Sequence, residues 1–463
     1  MANIREIVLS ILMEYDKDDN RKVSLLKDSL EKYDYLETRD KSFIKRVVDG
    51  TLERKIQIDY ILNRFSKTGT AKMQPFIRSL MRMSVYQIMF MDSVPDSAAC
   101  NEAVKLAAKH KFVNLKGFVN GVLRNVARNK DNIEYPVKDI NCGVDHLSVC
   151  YSMPEWICKM WLDRYGFDKT ESILKFFLET RPTTVRLNMK ALSDADEIDA
   201  LVKELESAGA VVKKNHILPY ALELEKTDNI RFLPGFMEGK YTVQDISSML
   251  LTEIADPKPG QTVIDACAAP GGKSLHAAER VLSENSSQDS SANGHVISRD
   301  LSERKCDLIR DNADRMGLTN IDISAHDARI TDENLTEKAD ILYLDVPCSG
   351  LGIMGRKNDI KYNVTPESAG ELTDLQWEIV KACEGYVKKG GILMYSTCTV
   401  NAAENEEMVQ RICKELPFKP VDISRDLQRL GLDKDNAGTE GYIQLIPGEY
   451  GTDGFFIAKL QKQ

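Results

Sequence analysis

The chain predicts an α/β protein: a doubly wound, mainly parallel sheet of seven strands, preceded by an all-helical domain and a small α+β domain. Three observations predict this. From Gln244 onward, short β-branched runs alternate with amphipathic helical runs; residues 1–132 carry only the three-and-four spacing of helices; and residues 153–243 mix short strand patterns with helix.

The helical domain repeats the spacing in I-R-E-I-V-L-S-I-L-M, F-I-K-R-V-V-D-G-T-L, I-D-Y-I-L-N-R-F, I-R-S-L-M-R-M-S-V-Y-Q-I-M-F and F-V-N-G-V-L-R-N-V, with breaks at Gly69, Pro75, Pro95 and Gly117. A bundle of short helices is expected, with Met73, Met81, Met83, Met89 and Met91 mostly in its core. Residues 133–152 have no sustained period and read as a linker. Pro154 opens a helix carrying Trp156 and Trp161, followed by a second helix near 169–180. T-T-V-R-L-N, D-A-L-V-K-E-L, A-V-V and A-L-E-L then make the small α+β unit, which ends near Val243. Arg186 and Asn188 lie two apart on one strand face, open to backbone phosphate or to a structural role at the surface.

From Gln244, strand 262–265, helix 273–282, strand 295–300, helix 302–316, strand I-D-I-S, strand I-L-Y-L-D, helix 371–387 and strand G-G-I-L-M-Y-S-T follow in turn. Two alternating strands around a turn close the sheet. Residues 283–293 are a polar, serine-rich insert that reads as a mobile surface segment.

At 463 residues the chain exceeds one ordinary core. Ten cysteines without a C-x-x-C pair argue against a disulfide framework and a zinc ribbon, so no metal is expected and a reducing cytoplasm is. No apolar run approaches a membrane span. The net charge of −9 hides an asymmetry: residues 1–130 hold 24 Lys and Arg against 16 Asp and Glu, or +8, and the remainder carries −17. A basic face engages phosphate whatever the total, because the local field decides. Arg5, Arg39, Lys41, Lys45, Arg46, Arg54, Lys55, Lys105, Lys109, Arg124 and Arg128 supply much of it. With neither an internal repeat nor a heptad seam, a monomer is the default.

The sheet is organised around V-I-D-A-C-A-A-P-G-G-K-S at 263–274, a strand, a tight loop and a helix start. Such a junction lies at the carboxyl edge of an open sheet, where cofactors bind. A Walker loop would need glycine where Cys267 stands. A loop around the amino-acid part of S-adenosylmethionine needs the same close approach and no phosphate nest, so it fits better. Asp300, ending the next strand, is placed for both ribose hydroxyls, with Arg304 one turn later as a brace. Asp327 follows the third strand, either accepting from an adenine amino group or capping a turn.

D-V-P-C-S-G at 345–350 puts Cys348 beyond the sheet edge, and Y-S-T-C-T delivers Cys398 to that edge if the two strands are neighbours. Methylases of exocyclic amines would want an acid or Asn followed by Pro-Pro and an aromatic, where this chain has Cys348. Two thiols suit carbon 5 of a pyrimidine, which becomes nucleophilic only after a thiolate adds at carbon 6. Asp345 is then the acid for ring nitrogen 3, and Lys273 either orients Asp345 or points to solvent. Arg356, Lys357 and Lys361 are candidate phosphate contacts or solvated loop residues.

These pieces, with E-N-E at 404–406, resemble the RNA cytosine-5 methyltransferases related to the nucleolar proliferation antigen and bacterial Sun protein. The resemblance implies an S-adenosylmethionine-dependent methyltransferase fold over 244–463, with S-adenosylhomocysteine as product. It makes Cys398 the nucleophile and Cys348 the thiol that helps release the methylated RNA. Cys267, Ala268, Ala269, Pro270, Gly271, Gly272, Lys273, Asp300, Asp327 and Asp345 would bind the donor, and Arg304 is grouped with them as the brace. R-D-K-S-F, V-V-D-G-T-L and I-D-Y-I-L are similar to the RNA-binding fold of the antitermination factor NusB. That fusion implies methylation of 16S ribosomal RNA, at cytosine 967. Another ribosomal or transfer RNA cytosine is the alternative, and a non-catalytic assembly factor a further one. Departures from the pattern are modest: Ser298 and Arg299 before the acid, Val346 where alanine is commoner, and the serine-rich insert.

Overall fold

The computed structural model describes residues 3–16, 29, 32–33, 35–139, 143–192, 194–227, 229–282, 294–434 and 437–463. The serine-rich insert lies outside them. The chain forms two compact units, Met1–Glu179 with Met354–Thr365, and Thr180–Ile353 with Pro366–Gln463.

The first unit is helical, as its periodicity requires. Ile4–Tyr15, Thr38–Glu53, Lys55–Phe65, Pro75–Phe90, Asp96–Lys109 and Lys116–Asn129 share one core. Pro75–Phe90 is its centre: residues from Phe76 to Ile88 are buried nearly all round, the pattern of a helix with neighbours on every side. Met73, Met81, Met83 and Met91 are buried there, and Met89 packs against them. Arg82, also on this helix, is buried and held by both oxygens of Asp59 at 2.7 Å. The segment read as a linker contains a helix, Val144–Tyr151, whose eight residues are too few to display a period. Glu155–Phe177 follows, with Gly166 at φ 75° breaking it near the expected division into two helices.

The second unit opens on a four-stranded antiparallel sheet. β1 (Thr183–Leu187), β2 (Val211–Lys214), β3 (Ala221–Glu225) and β4 (Tyr241–Val243) run in the order β2-β3-β1-β4, with helix Ala195–Ser207 packed on them. Three-residue β4 is not among the strand patterns of the sequence, since it is too short to alternate visibly. β1 is an inner strand, and its residues from Thr184 to Leu187 are buried. Arg186 is fully buried, ion-paired with Glu279 at 2.6 Å and bonded to Gln244 at 2.8 Å. Asn188 donates to the carbonyls of Gly239 and Met316. Neither is a surface residue or a phosphate contact; a charge can stay buried only when paired in this way.

The large sheet holds β5 (Thr262–Asp265), β6 (His295–Asp300), β7 (Ile321–Ala325), β8 (Ala339–Asp345), β9 (Val387–Thr397), β10 (Phe418–Pro420), β11 (Tyr442–Leu445) and β12 (Phe455–Lys462). The order is β10-β12-β9-β8-β5-β6-β7, with β11 on β12. The eighth strand beyond the expected seven is three-residue β10, paired to β12 at the edge. Strands β5 to β9 pair in parallel, and β12 lies antiparallel to β9. Alternate residues feed a core on each face. Val263, Ile341 and Tyr343 pack with helices Ile246–Ala255 and Gly272–Val281; Ile264, Leu342 and Leu344 pack with Pro366–Cys383 and Glu406–Glu415.

Candidate active site

The strand order reverses at β5: β6 and β7 lie on one side of it, β8 and β9 on the other. The carboxyl ends of β5 and β8 therefore flank the crevice in which open α/β sheets hold ligands. Into it come the loop after Asp265, the loop after Asp345 and, one strand further, the loop after Thr397.

The first loop runs from Ala266 to helix Gly272–Val281. Gly271 sits at φ 104°, and a Cβ there would lie 3.0 Å from Ile309, so only glycine closes this turn without strain. Asp265 ends β5 fully buried. Ser274 donates to its Oδ2 at 2.6 Å, and Oδ1 has no hydrogen-bond partner among the described residues. Burial pushes this carboxyl up to about 7; the Ser274 bond opposes the rise and nearby Asp345 adds to it. Sequence reasoning passed over Asp265, although an acid closing the strand before the glycine turn was the available signal.

Asp300, at the end of β6, accepts from the backbone N–H of Ala269 at 2.9 Å and of Leu301 at 2.7 Å. Its brace is Lys305, whose ammonium lies 2.9 Å from Asp300 Oδ1, and not Arg304. Asp300 precedes helix Glu303–Met316, and the first-turn side chain that reaches back to it is the one at 305. The N–H of His326 donates to the carbonyl of Asp300, which sets the Asp327 loop beside it. The Asp327 carboxylate is itself engaged with the backbone and guanidinium of Arg329, whose hydrogen bonds hold it down at about 2. It caps a turn.

Lys273 does not point to solvent. Its Nζ is 2.6 Å from Asp345 Oδ2 and lies over the Phe455 ring, while Ser396 donates to Asp345 Oδ1 at 2.8 Å. Strands β8 and β9 are neighbours, with Asp345 opposite Ser396, so the condition for pairing the two thiols is met. Cys348 Sγ and Cys398 Sγ are 3.2 Å apart. The hydrogen bond to Cys398, with burial, pushes the Cys348 thiol well up. The backbone N–H of Gly352 donates to the Cys398 carbonyl, and a Cβ at 352 would lie 2.2 Å from the Gly454 carbonyl. Cys267 packs against the sheet core, and burial pushes its thiol well up, which makes it a wall of the loop and not a second nucleophile.

Arg356 and Lys357 are exposed, as a phosphate contact requires. Lys361 is not: it is buried in the first unit, its Nζ donating to the carbonyls of Glu53 and Ser152 at 2.7 Å each. Burial brings its ammonium down to about 7. Among the described residues no group of three or more His, Cys, Asp or Glu is arranged to hold a metal ion, and no helix is long and apolar enough to cross a membrane.

A parallel sheet with a glycine turn after its central strand, an acid ending the next strand and helices on both faces is the S-adenosylmethionine-dependent methyltransferase fold. Family models agree along the chain: 16S rRNA methyltransferase RsmB/F matches residues 252–461, the NusB family residues 2–128, and the RsmF/B-like ferredoxin-like domain residues 153–231. The chain is 36% identical over 467 residues to the probable ribosomal RNA small subunit methyltransferase B of Bacillus subtilis, covering 100% of this chain and 99% of that one. To the protein of the same name from Synechocystis it is 31% identical, covering 100% of each. It belongs to the ribosomal RNA small subunit methyltransferase B family. Among solved structures, PH0851 superposes with TM-score 0.77 at 23% identity, covering 100% of this chain and 99% of that one. A methyltransferase homolog from Pyrococcus horikoshii gives 0.55 at 24% identity, covering 69% and 99%. Both share the fold.

Proposed function

We propose that this protein transfers a methyl group from S-adenosylmethionine to carbon 5 of a cytosine in 16S ribosomal RNA, cytosine 967, through a covalent adduct of Cys398 at carbon 6. The carrying observation is the 3.2 Å contact between Cys348 and Cys398 beside an Asp345 that Lys273 ties to the loop after β5. One thiol suffices to activate a pyrimidine carbon; the second in contact with it supports a release step as well.

The residues present fit the methyl donor. Asp265 offers a buried carboxylate oxygen without a partner, suited to the donor's ammonium group. Asp300 has the carboxylate for the ribose hydroxyls, and Asp327 an acceptor at the adenine end. Residues Cys267 to Gly272 supply the close backbone. When bound there, S-adenosylmethionine supplies an electrophilic methyl group. The protein's own part is to hold Cys398 against Cys348 at the crevice edge, to meet ring nitrogen 3 with Asp345, and to keep Asp345 in place through Lys273 and Ser396. The target base must leave its stack to reach the two thiols, at a cost of roughly a few kcal/mol that is least for an unpaired nucleotide. In this reading residues 1–132 and 153–243 hold the surrounding RNA, 244–463 performs the reaction, and the enzyme works as a cytoplasmic monomer.

The test is methyl transfer to unmodified 16S RNA, followed by mapping of 5-methylcytosine at nucleotide resolution. Modification at cytosine 967 is expected; modification only elsewhere, or only in transfer RNA, overturns the assignment. Cys398→Ala should abolish turnover with donor binding near wild type, whereas Cys348→Ala should trap protein on RNA as a slow-migrating covalent complex.

A further inference from the structure

Two consecutive buried residues outside the crevice, Glu404 and Asn405, each reach one of the cysteine loops. Both are fully buried, at 0% exposure, in the turn that leads into helix Glu406–Glu415. Four donors converge on the Glu404 carboxylate: the Ser349 backbone N–H at 2.9 Å, the Ser349 hydroxyl, Gln376 Nε2 at 2.9 Å and Asn401 Nδ2 at 2.9 Å. Gln376 Nε2 also donates to the Pro347 carbonyl at 2.9 Å, so residues on both sides of Cys348 are tied to one anchor. The Tyr395 hydroxyl, 2.7 Å from the Glu404 carbonyl, fixes the anchor to β9.

Asn405 does the same for Cys398. Its Oδ1 accepts from the Thr397 hydroxyl, and its Nδ2 lies 3.1 Å from the Thr399 carbonyl and 2.7 Å from Gln444 Oε1. Residues on both sides of Cys398 are thereby held. The two systems meet where the Ser349 and Thr399 hydroxyls lie 2.7 Å apart. Since Ser349 gives its hydrogen to Glu404, Thr399 donates to Ser349, and a chain of hydrogen bonds runs from one loop to the other. A carboxylate facing only donors and an amide using both its ends leave little freedom to reorient.

We propose that Glu404 and Asn405 are positioning residues that act as one clamp, holding Cys348 and Cys398 at contact distance, Glu404 through the Cys348 loop and Asn405 through the Cys398 loop. The catalytic meaning of the clamp rests on the reading of the two cysteines as the reacting pair. Its geometric content does not.

The geometry is read by treating the folded, full-length protein with diamide, which takes two hydrogens from the two thiols and leaves a Cys348–Cys398 disulfide that peptide mapping quantifies. Wild type should form it rapidly. Glu404→Gln turns an amide N–H toward four donors, and Thr399→Val is isosteric but breaks the bridge between loops. Both should form the disulfide about tenfold more slowly or worse, because small misplacements sharply reduce effective concentration, and Thr399→Ser should restore the rate. Equal rates in folded wild type and variants would overturn the clamp. Toward RNA, Glu404→Gln should lower kcat about 100-fold with KM for donor and RNA little changed, and should accumulate covalent complex as Cys348→Ala does; Asn405→Ala should lose the complex. A parallel rise in both KM values with unaltered kcat overturns the positioning role. If Cys348→Ala gives no RNA adduct while the disulfide rates of the clamp variants fall as expected, the adduct mechanism fails and the clamp stands.

Discussion

Asp265 shows how much a single buried carboxyl controls. Its group rests up at about 7, against an ordinary carboxylate value near 4 in the unfolded chain. Between these values the unfolded state has lost the proton and the folded state keeps it, so this group makes stability fall as pH rises, most of the loss being complete above about 7. Asp265→Asn should flatten that part of the profile and raise the thermal midpoint of the ligand-free protein at pH 8, while abolishing donor binding; equilibrium dialysis and melting curves measure the two effects. Lys273 carries the opposite lesson. Lys273→Met frees Asp345 from its 2.6 Å partner, and should reduce methyl transfer with donor affinity less affected. In the sequence, the cysteines and Asp345 were legible because their motifs end strands. Asp265 offers the same strand-end signal, but its burial, which sets its charge, comes from packing that no single residue announces.

Between residue and molecule, the segment Met354–Thr365 follows the Cys348 loop in the chain and packs in the helical unit. Lys361 anchors it by two carbonyl contacts, with Tyr362 beneath both Lys361 and Lys55. Removing the ammonium takes the donor from a buried carbonyl, that of Ser152, at a cost of about 1–3 kcal/mol, and from the part-buried carbonyl of Glu53. Lys361→Ala should therefore lower the unfolding midpoint of the helical unit in a denaturant titration. Because its ammonium titrates near 7 when folded and above 10 when unfolded, Lys361 also makes stability rise with pH between those values, and the variant should lose this rise. The basic triplet Arg356, Lys357 and Lys361 reads as one patch in the sequence, yet only the first two are exposed. The short elements, Val144–Tyr151, β4 and β10, escaped the sequence for a different reason: three residues cannot show strand alternation, and eight span barely two turns of helix.

At the scale of the whole molecule, charge divides what the total conceals. The net −9 coexists with +8 over residues 1–130, and helix Lys116–Asn129 exposes Arg124 and Arg128 one turn apart. The double variant Arg124→Gln, Arg128→Gln should weaken RNA binding uniformly across sequences and reduce the slope of log affinity against log salt by about 2, as loss of two phosphate contacts requires. An unchanged slope would remove this helix face from the RNA surface. The sequence by itself determined the order of helical and α/β parts, the glycine turn after β5, and the two cysteines at strand ends, because periodicity, glycine and strand-terminal motifs are local. Only the tertiary structure decided that Arg186, Asn188 and Lys361 are buried, that Lys305 and not Arg304 braces Asp300, and that the thiols touch. A polar side chain is a surface group or an internal tie according to what packs on it, and that partner comes from a distant part of the chain.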